Sequence, residues 1–203
     1  MSIQTVGIVG AGTMGNGIAQ ACAVSGIDVV MVDIAQAAVD KGLATIHKSL
    51  ERLASKDKIS AADQAAALAR IKGSTNYDDL KGAQLVIEAA TENQELKNKI
   101  LGQLDGLLAP EVIIATNTSS ISITQLAAVT SRPDRFVGMH FFNPVPMMAL
   151  VEIIRGLQTS DATHDAVKAM AVRLGKTPIT VKNAPGFVVN RILVPMINEA
   201  FFV

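Results

Sequence analysis

The chain has 203 residues, 49% of them apolar and 18% charged, with 18 Lys and Arg against 18 Asp and Glu. That is enough chain for one large domain, or one domain and part of a second, with no disulfide or metal staple, and it is too apolar to stay disordered. Zero net charge and 3% aromatic residues without Trp exclude the footprint of a nucleic-acid binder, and the single Cys22 excludes a disulfide framework or cysteine-rich zinc site and suits a reducing, cytoplasmic compartment.

The first charged side chain is Asp28. A signal peptide or membrane span is still not expected. No Lys or Arg opens the chain, and Gly7, Gly10, Gly12, Gly15, Gly17 and Gly26, with Asn16 and Gln20, break up the stretch. Val6 to Val9 reads as a buried strand ending at glycine. Thr13 to Val24 reads as a helix stopped by Gly26, and Ile27 to Val32 as a second strand ending at Asp33. Leu43, Ile46, Leu50 and Leu53 recur at helical spacing over 40–54, and Ser60 with Asp63 resembles a capping box opening another helix to about Ile71. Leu85 to Ile87 is a strand ending at Glu88, followed by a helix from Asn93 with Leu96, Ile100, Leu101, Leu104 and Leu108 inward. Strands are expected at Val112 to Ala115, Phe136 to Phe142, Leu150 to Ile154 and up to Val181. Helices are expected after Ser122 and from Asp161 to Leu174, and a last one is expected to open with Pro185 at its first position.

Alternating strands and helices predict an α/β fold: a doubly wound, mostly parallel sheet with an inserted helical pair. Ligands of such sheets sit beyond the carboxyl ends of the strands. The residues to read are therefore Gly10, Asp33, Glu88 to Glu92, Asn117 to Ser120 and His140 to Asn143.

Gly10-Ala11-Gly12-Thr13-Met14-Gly15 follows a strand and opens a helix, the context that gives G-x-G-x-x-G its meaning. Gly10 makes the tight turn, Gly12 admits a pyrophosphate to the backbone, and Gly15 lets helix and strand approach. The helix N-terminus presents unpaired N–H groups to the phosphates. This is the Rossmann-type dinucleotide fingerprint. Asp33 stands 23 residues after Gly10, near the roughly 20 expected, and would accept from the ribose hydroxyls and repel a 2′-phosphate. No Arg follows it in Ile34-Ala35-Gln36, so the expected cofactor is NAD.

His47 and His164 read as surface residues of helices. His140 stands at a strand end, in Met139-His140-Phe141-Phe142-Asn143-Pro144, and Glu152 is a lone acid within an apolar strand. They make either a catalytic dyad or a buried ion pair. Asn117-Thr118-Ser119-Ser120 supplies polar groups at the same edge, or merely turn and cap chemistry. Asn190, on the apolar helix after Pro185, is either a ligand or a core hydrogen bonder.

In their order and spacing, Gly10 to Gly15, Asn117 to Ser120, His140 to Pro144 and Pro185-Gly186-Phe187-Val188-Val189-Asn190-Arg191 resemble the L-3-hydroxyacyl-CoA dehydrogenases, the bacterial 3-hydroxybutyryl-CoA members most of all. The resemblance covers essentially the whole chain. It implies reversible NAD-linked oxidation of an L-3-hydroxyacyl-CoA to the 3-ketoacyl-CoA, with acetoacetyl-CoA or 3-hydroxybutyryl-CoA as substrate. His140 would be the general base, oriented by Glu152, with Ser119 and Asn190 beside them in the catalytic set. Gly10, Gly12, Thr13, Met14, Gly15 and Asp33 would bind the cofactor, joined by Glu92, Lys97, Ser119 and Asn143. Ser119, Asn143 and Asn190 would surround the substrate, and Ser49 and Lys56 in the long helix would contact CoA. It further implies an NAD-binding domain over 1–184 and, over 185–203, the start of a truncated all-helical domain through which a cytoplasmic homodimer would form. Two other readings keep the fold: a non-catalytic NAD-binding module, which needs neither His140 nor Glu152, and a hydroxy-acid dehydrogenase that does not use CoA.

Overall fold

The computed structural model describes residues 3–203. Chain order is β1 (Thr5–Val9), α1 (Thr13–Val24), β2 (Asp28–Val32), α2 (Gln36–Ala54), α3 (Ala61–Ala69), β3 (Ile71–Ser74), β4 (Leu85–Glu88), α4 (Gln94–Leu107), β5 (Ile113–Thr116), α5 (Ile123–Ala127), β6 (Phe136–Phe141), β7 (Leu150–Arg155), α6 (Asp161–Arg173), β8 (Thr177–Lys182) and α7 (Val189–Ala200). The strands form one sheet in the order β3-β2-β1-β4-β5-β6-β7-β8. The first six are parallel, β7 runs antiparallel to β6, and β8 runs parallel to β7.

The central strands are near-continuous apolar runs because both faces of the sheet are covered. Successive residues feed two cores. Ile8, Met31, Ile87, Ala115 and Met139 pack on one side with Ile18, Ile46 and Val167 from α1, α2 and α6. Val9, Val32, Val86, Ile114 and Phe136 pack on the other with Leu101 and Leu126 from α4 and α5. The caps follow local chemistry: Ser60 and Asp63 form the reciprocal capping box of α3, and Asn93, Ser122 and Ser160 accept from the backbone three residues on.

Four expectations need correction. The α3 helix stops at Ala69, and Ile71–Ser74 is an edge strand paired only with β2. With one apolar side chain in Ile71-Lys72-Gly73-Ser74, that strand carries no alternation to read. It sits where Gly73 lets α2 approach: a Cβ there would lie 2.5 Å from Val39 and 2.9 Å from Leu43. The α2 helix begins at Gln36 rather than near 40. Pro185 does not open the last helix; a turn through Gly186 and Phe187 intervenes, and α7 starts at Val189. Finally, His164 is buried, its ring nitrogens 2.9 Å from Asp165 and 2.9 Å from Thr180, so that it pins α6 to β8.

The reversal at β7 has a simple cause. The connection 142–149 is too short for a crossover, which needs about a dozen residues or more, and so it returns the chain antiparallel. Beyond β8 the chain folds back and ends in α7, whose Ile192, Val194, Met196 and Ile197 are exposed. Among the described residues no helix is long and apolar enough to cross a membrane.

Candidate active site

The sheet order reverses at β1, with β2 on one side and β4 on the other, and the carboxyl ends of these strands form the rim that ligands use. Gly10 leaves β1 at φ +105°, a conformation that favours glycine, and its N–H donates to the Val32 carbonyl at 2.7 Å. A Cβ on Gly15 would lie 1.7 Å from the Gly10 carbonyl oxygen, so this helix-to-strand contact admits only glycine. Gly12 is the opposite case: a Cβ there meets nothing within 4 Å, leaving open space against the backbone. No side chain caps α1 and no acid lies in its first turn, although four N–H groups of that turn want acceptors. Asp33 accepts from Ala11 N–H at 2.9 Å and Ala35 N–H at 3.3 Å, which sets its carboxylate beside the glycine loop. An uncapped helix start, a cleft kept open at Gly12 and an adjoining carboxylate together fit a dinucleotide.

Next along the rim, Glu88 closes β4 and is fully buried. The Lys97 ammonium donates to both its oxygens, at 2.7 and 2.9 Å, and to the Ala90 carbonyl at 3.3 Å. Thr116 Oγ1 donates at 2.6 Å and Ala90 N–H at 2.7 Å. Lys97 is 1% exposed and lies 3.5 Å from Glu92. It therefore acts from beneath the rim, and any contact with a cofactor runs through the groups it holds. Oε1 of Glu92 accepts Thr118 Oγ1 at 2.5 Å, Ser119 N–H at 2.9 Å and Ser120 N–H at 3.2 Å. Burial pushes this carboxyl up, but the donors of Thr118, Ser119 and Ser120 and the Lys97 charge outweigh it, and its pKa is held below the ordinary value. Glu92 thus clamps the loop that carries Ser119.

The reversed β7 places Glu152 directly opposite His140 in the β6–β7 ladder. Their neighbours Met139, Phe141, Val151 and Ile153 feed the other core, so both side chains emerge on the face of α4 and α5. His140 Nδ1 lies 2.7 Å from Glu152 Oε2. Oε1 of the same carboxylate accepts Val188 N–H at 2.9 Å and Val189 N–H at 3.0 Å, capping α7. Burial raises this carboxyl, but the His140 bond and the two N–H groups prevail, so the group is held below its ordinary value and is ionised at neutral pH. An ionised carboxylate only accepts, so Nδ1 carries a proton, and the neutral form of the ring is the tautomer with its lone pair on Nε2. The imidazole is flanked by Phe142, ring centroids 4.5 Å apart, and Phe187, 5.8 Å apart.

Asn190, in the first turn of α7, donates to the Ser119 carbonyl at 3.3 Å. This joins the helix seated on Glu152 to the loop clamped by Glu92. Asn117 accepts from Phe141 N–H at 2.8 Å and ties the ends of β5 and β6 together. Asn143 is exposed two residues beyond β6, and Thr13 and Met14 lie in the first turn of α1. The structure does not draw Ser49 or Lys56 into this network. Ser49 lies about 20 Å along α2 from Gln36, at 1.5 Å per residue. Lys56 is not in the long helix but in the turn after it, exposed, because α2 ends at Ala54. His47 is exposed on α2, and the buried Cys22 has its thiol pushed up to about 12 by desolvation.

Three participants escaped the sequence reading in part or whole. Glu88 was visible as a strand-end acid, but its pairing with Lys97 was not. Thr116 belongs to an apolar strand with no outward mark. Phe187 adopts φ +51°, which no sequence pattern announces for phenylalanine.

The model of the family "3-hydroxyacyl-CoA dehydrogenase, NAD binding domain" matches residues 5–184. A 3-hydroxybutyryl-CoA dehydrogenase of Bradyrhizobium diazoefficiens is 50% identical over 200 residues, covering 98% of this chain and 68% of the relative. A probable 3-hydroxybutyryl-CoA dehydrogenase of Deinococcus radiodurans is 52% identical over 194 residues, 96% of this chain and 69% of the relative. The crystal structure of (S)-3-hydroxybutyryl-CoA dehydrogenase from Ralstonia eutropha superposes with a TM-score of 0.97 at 74% identity, covering 98% of this chain and 71% of that one.

Proposed function

We infer that this chain, which belongs to the 3-hydroxyacyl-CoA dehydrogenase family, carries out the NAD-linked interconversion of an L-3-hydroxyacyl-CoA and its 3-ketoacyl-CoA with His140 as general base. The observation that carries this reading is the 2.7 Å His140–Glu152 bond, set on the same rim as a glycine loop built for a dinucleotide.

Bound NAD supplies the hydride acceptor. The glycine loop and the uncapped start of α1 hold its pyrophosphate, and Asp33 its ribose. In the oxidative direction His140 Nε2 takes the proton of the 3-hydroxyl, the freed O–H electron pair makes the C3–O bond a carbonyl, and the C3–H bond breaks to release the hydride for which NAD would be the acceptor. Glu152 holds the ring in the tautomer that leaves Nε2 open and balances the imidazolium that forms. In the reductive direction the same imidazolium returns the proton. Ser119, Asn143 and Asn190 supply the polar groups around the reacting oxygen. Glu92 fixes the Ser119 loop, and Lys97 holds Glu92 and Glu88 from below.

The names of the relatives support a four-carbon acyl chain. Similarity to the family also supports Ser49 and Lys56 as CoA contacts, and a cytoplasmic homodimer, testable by light scattering, as the setting. His140→Ala removes NADH-driven reduction of acetoacetyl-CoA while NADH binding, followed by fluorescence titration, persists. Turnover undiminished in that variant takes His140 out of the reaction.

A further inference from the structure

We propose that Phe187 is a positioning residue for the His140–Glu152 pair, its ring holding the imidazole and its left-handed backbone aiming two N–H groups at the carboxylate. The proposal rests on the dehydrogenase reading of the site.

Gly186 and Phe187 are consecutive residues in the left-handed region, at φ +73° and φ +51°. Glycine is required at the first on two counts, since a Cβ there would also lie 2.9 Å from Arg191 N. At the second position a Cβ is sterically disfavoured, and a bulky aromatic there is a marked exception. Such residues persist where the surroundings over-determine them. Here two constraints act on one residue. The ring is 2% exposed and stands 5.8 Å from the His140 ring, tilted 59° to it. With Phe142 on the imidazole as well, His140 is left 6% exposed. The backbone passes from the left-handed Phe187 to the right-handed Val188. That alternation turns successive N–H groups to one side and forms an anion-binding nest. Val188 N–H and Val189 N–H both donate to Glu152 Oε1, at 2.9 and 3.0 Å, while Oε2 faces His140. The ring thus limits imidazole rotation and keeps water from the Nδ1–H bond, and the nest fixes the carboxylate that receives it. Phe187 is assigned no contact with substrate or cofactor; it acts through the dyad.

The test compares Phe187→Leu, which removes the ring but stays apolar, with Phe187→Tyr, which keeps it. Steady-state reduction of acetoacetyl-CoA by NADH is measured alongside proton NMR of the protein without added cofactor. The downfield His140 Nδ1–H signal is identified by its absence in His140→Ala. Phe187→Leu is expected to lower kcat about tenfold or more while KM for NADH and for acetoacetyl-CoA stays within about twofold, and Phe187→Tyr to keep most of kcat. The Nδ1–H signal broadens or disappears in the Leu variant and stays in the Tyr variant. A Leu variant with wild-type kcat, or with an undisturbed Nδ1–H signal, overturns the proposal; so does a fall in kcat matched by equal rises in both KM values. If circular dichroism shows Phe187→Leu unfolded, Phe187→Met replaces it with the same outcomes, since volume-conserving apolar exchanges are the best tolerated. Turnover surviving in His140→Ala takes His140 out of the reaction, and no turnover of acetoacetyl-CoA by the unmutated protein refutes the dehydrogenase reading; in either case the NMR comparison decides by itself whether Phe187 holds the pair.

Discussion

Glu152→Gln is the most discriminating single change, because the two oxygens of Glu152 do different work. Oε1 accepts from Val188 and Val189, and an amide oxygen in its place still accepts both. Oε2 accepts from His140 Nδ1, and an amide NH2 in its place donates instead. The imidazole must then accept at Nδ1 and carry its proton on Nε2, where the substrate hydroxyl needs a lone pair. The expected loss in kcat is that of a misplaced general base, about 10²- to 10⁴-fold, or about 2.7–5.4 kcal/mol of barrier. Stability changes less. One charge-assisted bond is exchanged for a neutral one, costing about 1–1.5 kcal/mol, the difference between the two kinds of bond, or about 2–6 °C in Tm for a chain of this size. Glu152→Ala loses all three bonds and is expected to cost about 3–5 kcal/mol. The effect carries a pH signature. The folded pKa of Glu152 lies below its ordinary 4.5, so its contribution is present above that value and is lost as pH falls through the lower folded pKa. The stability gap between wild type and Glu152→Gln therefore narrows in acid. NADH oxidation with acetoacetyl-CoA gives kcat, and urea melts across pH give the gap. Glu152→Gln turning over within about threefold of wild type, with NADH binding intact, refutes the tautomer argument, since even the weakest general-base contribution is about 10².

Three further outcomes follow from the rim. Gly15→Ala drives a methyl to 1.7 Å from the Gly10 carbonyl and so displaces the glycine loop, and NADH affinity is expected to fall at least about tenfold; an unchanged fluorescence titration would show that the loop is not the cofactor seat. Asp33→Asn removes the charge that repels a 2′-phosphate, and the NADPH-to-NADH ratio of kcat/KM is expected to rise about tenfold or more; a constant ratio places cofactor choice elsewhere. Lys97→Met strands the buried Glu88 carboxylate without its cation and is expected to cost about 3–5 kcal/mol in a urea melt, part of it recovered by adding Glu88→Gln. A neutral Lys97→Met would mean that water replaces the ammonium.

The alternation of strands and helices was legible because each strand buries both faces and each helix one, which leaves runs and stripes in the residue order. The glycine loop and Asp33 were legible because their backbone demands are met only by particular residues at particular spacings. His140 and Glu152 stood out as polar groups in apolar strands, but residue order left both a catalytic pair and a structural ion pair open. The tertiary fold brought them together: the short 142–149 connection reverses β7 and lays Glu152 across from His140 in the ladder. The edge strand Ile71–Ser74 escaped notice because it carries no periodicity, and Lys97 came into view only through the family resemblance, because a lysine's partner lies elsewhere in the chain. By itself, the sequence determined what is local: element type, the phosphate turn and the acid that closes β2. Only the tertiary structure decided strand direction at β7, the burial of Lys97 between two acids, and the left-handed turn at Phe187 that hands Val188 and Val189 to Glu152. The division is physical, since periodicity records which side of an element is buried and says nothing of the distant residue that buries it.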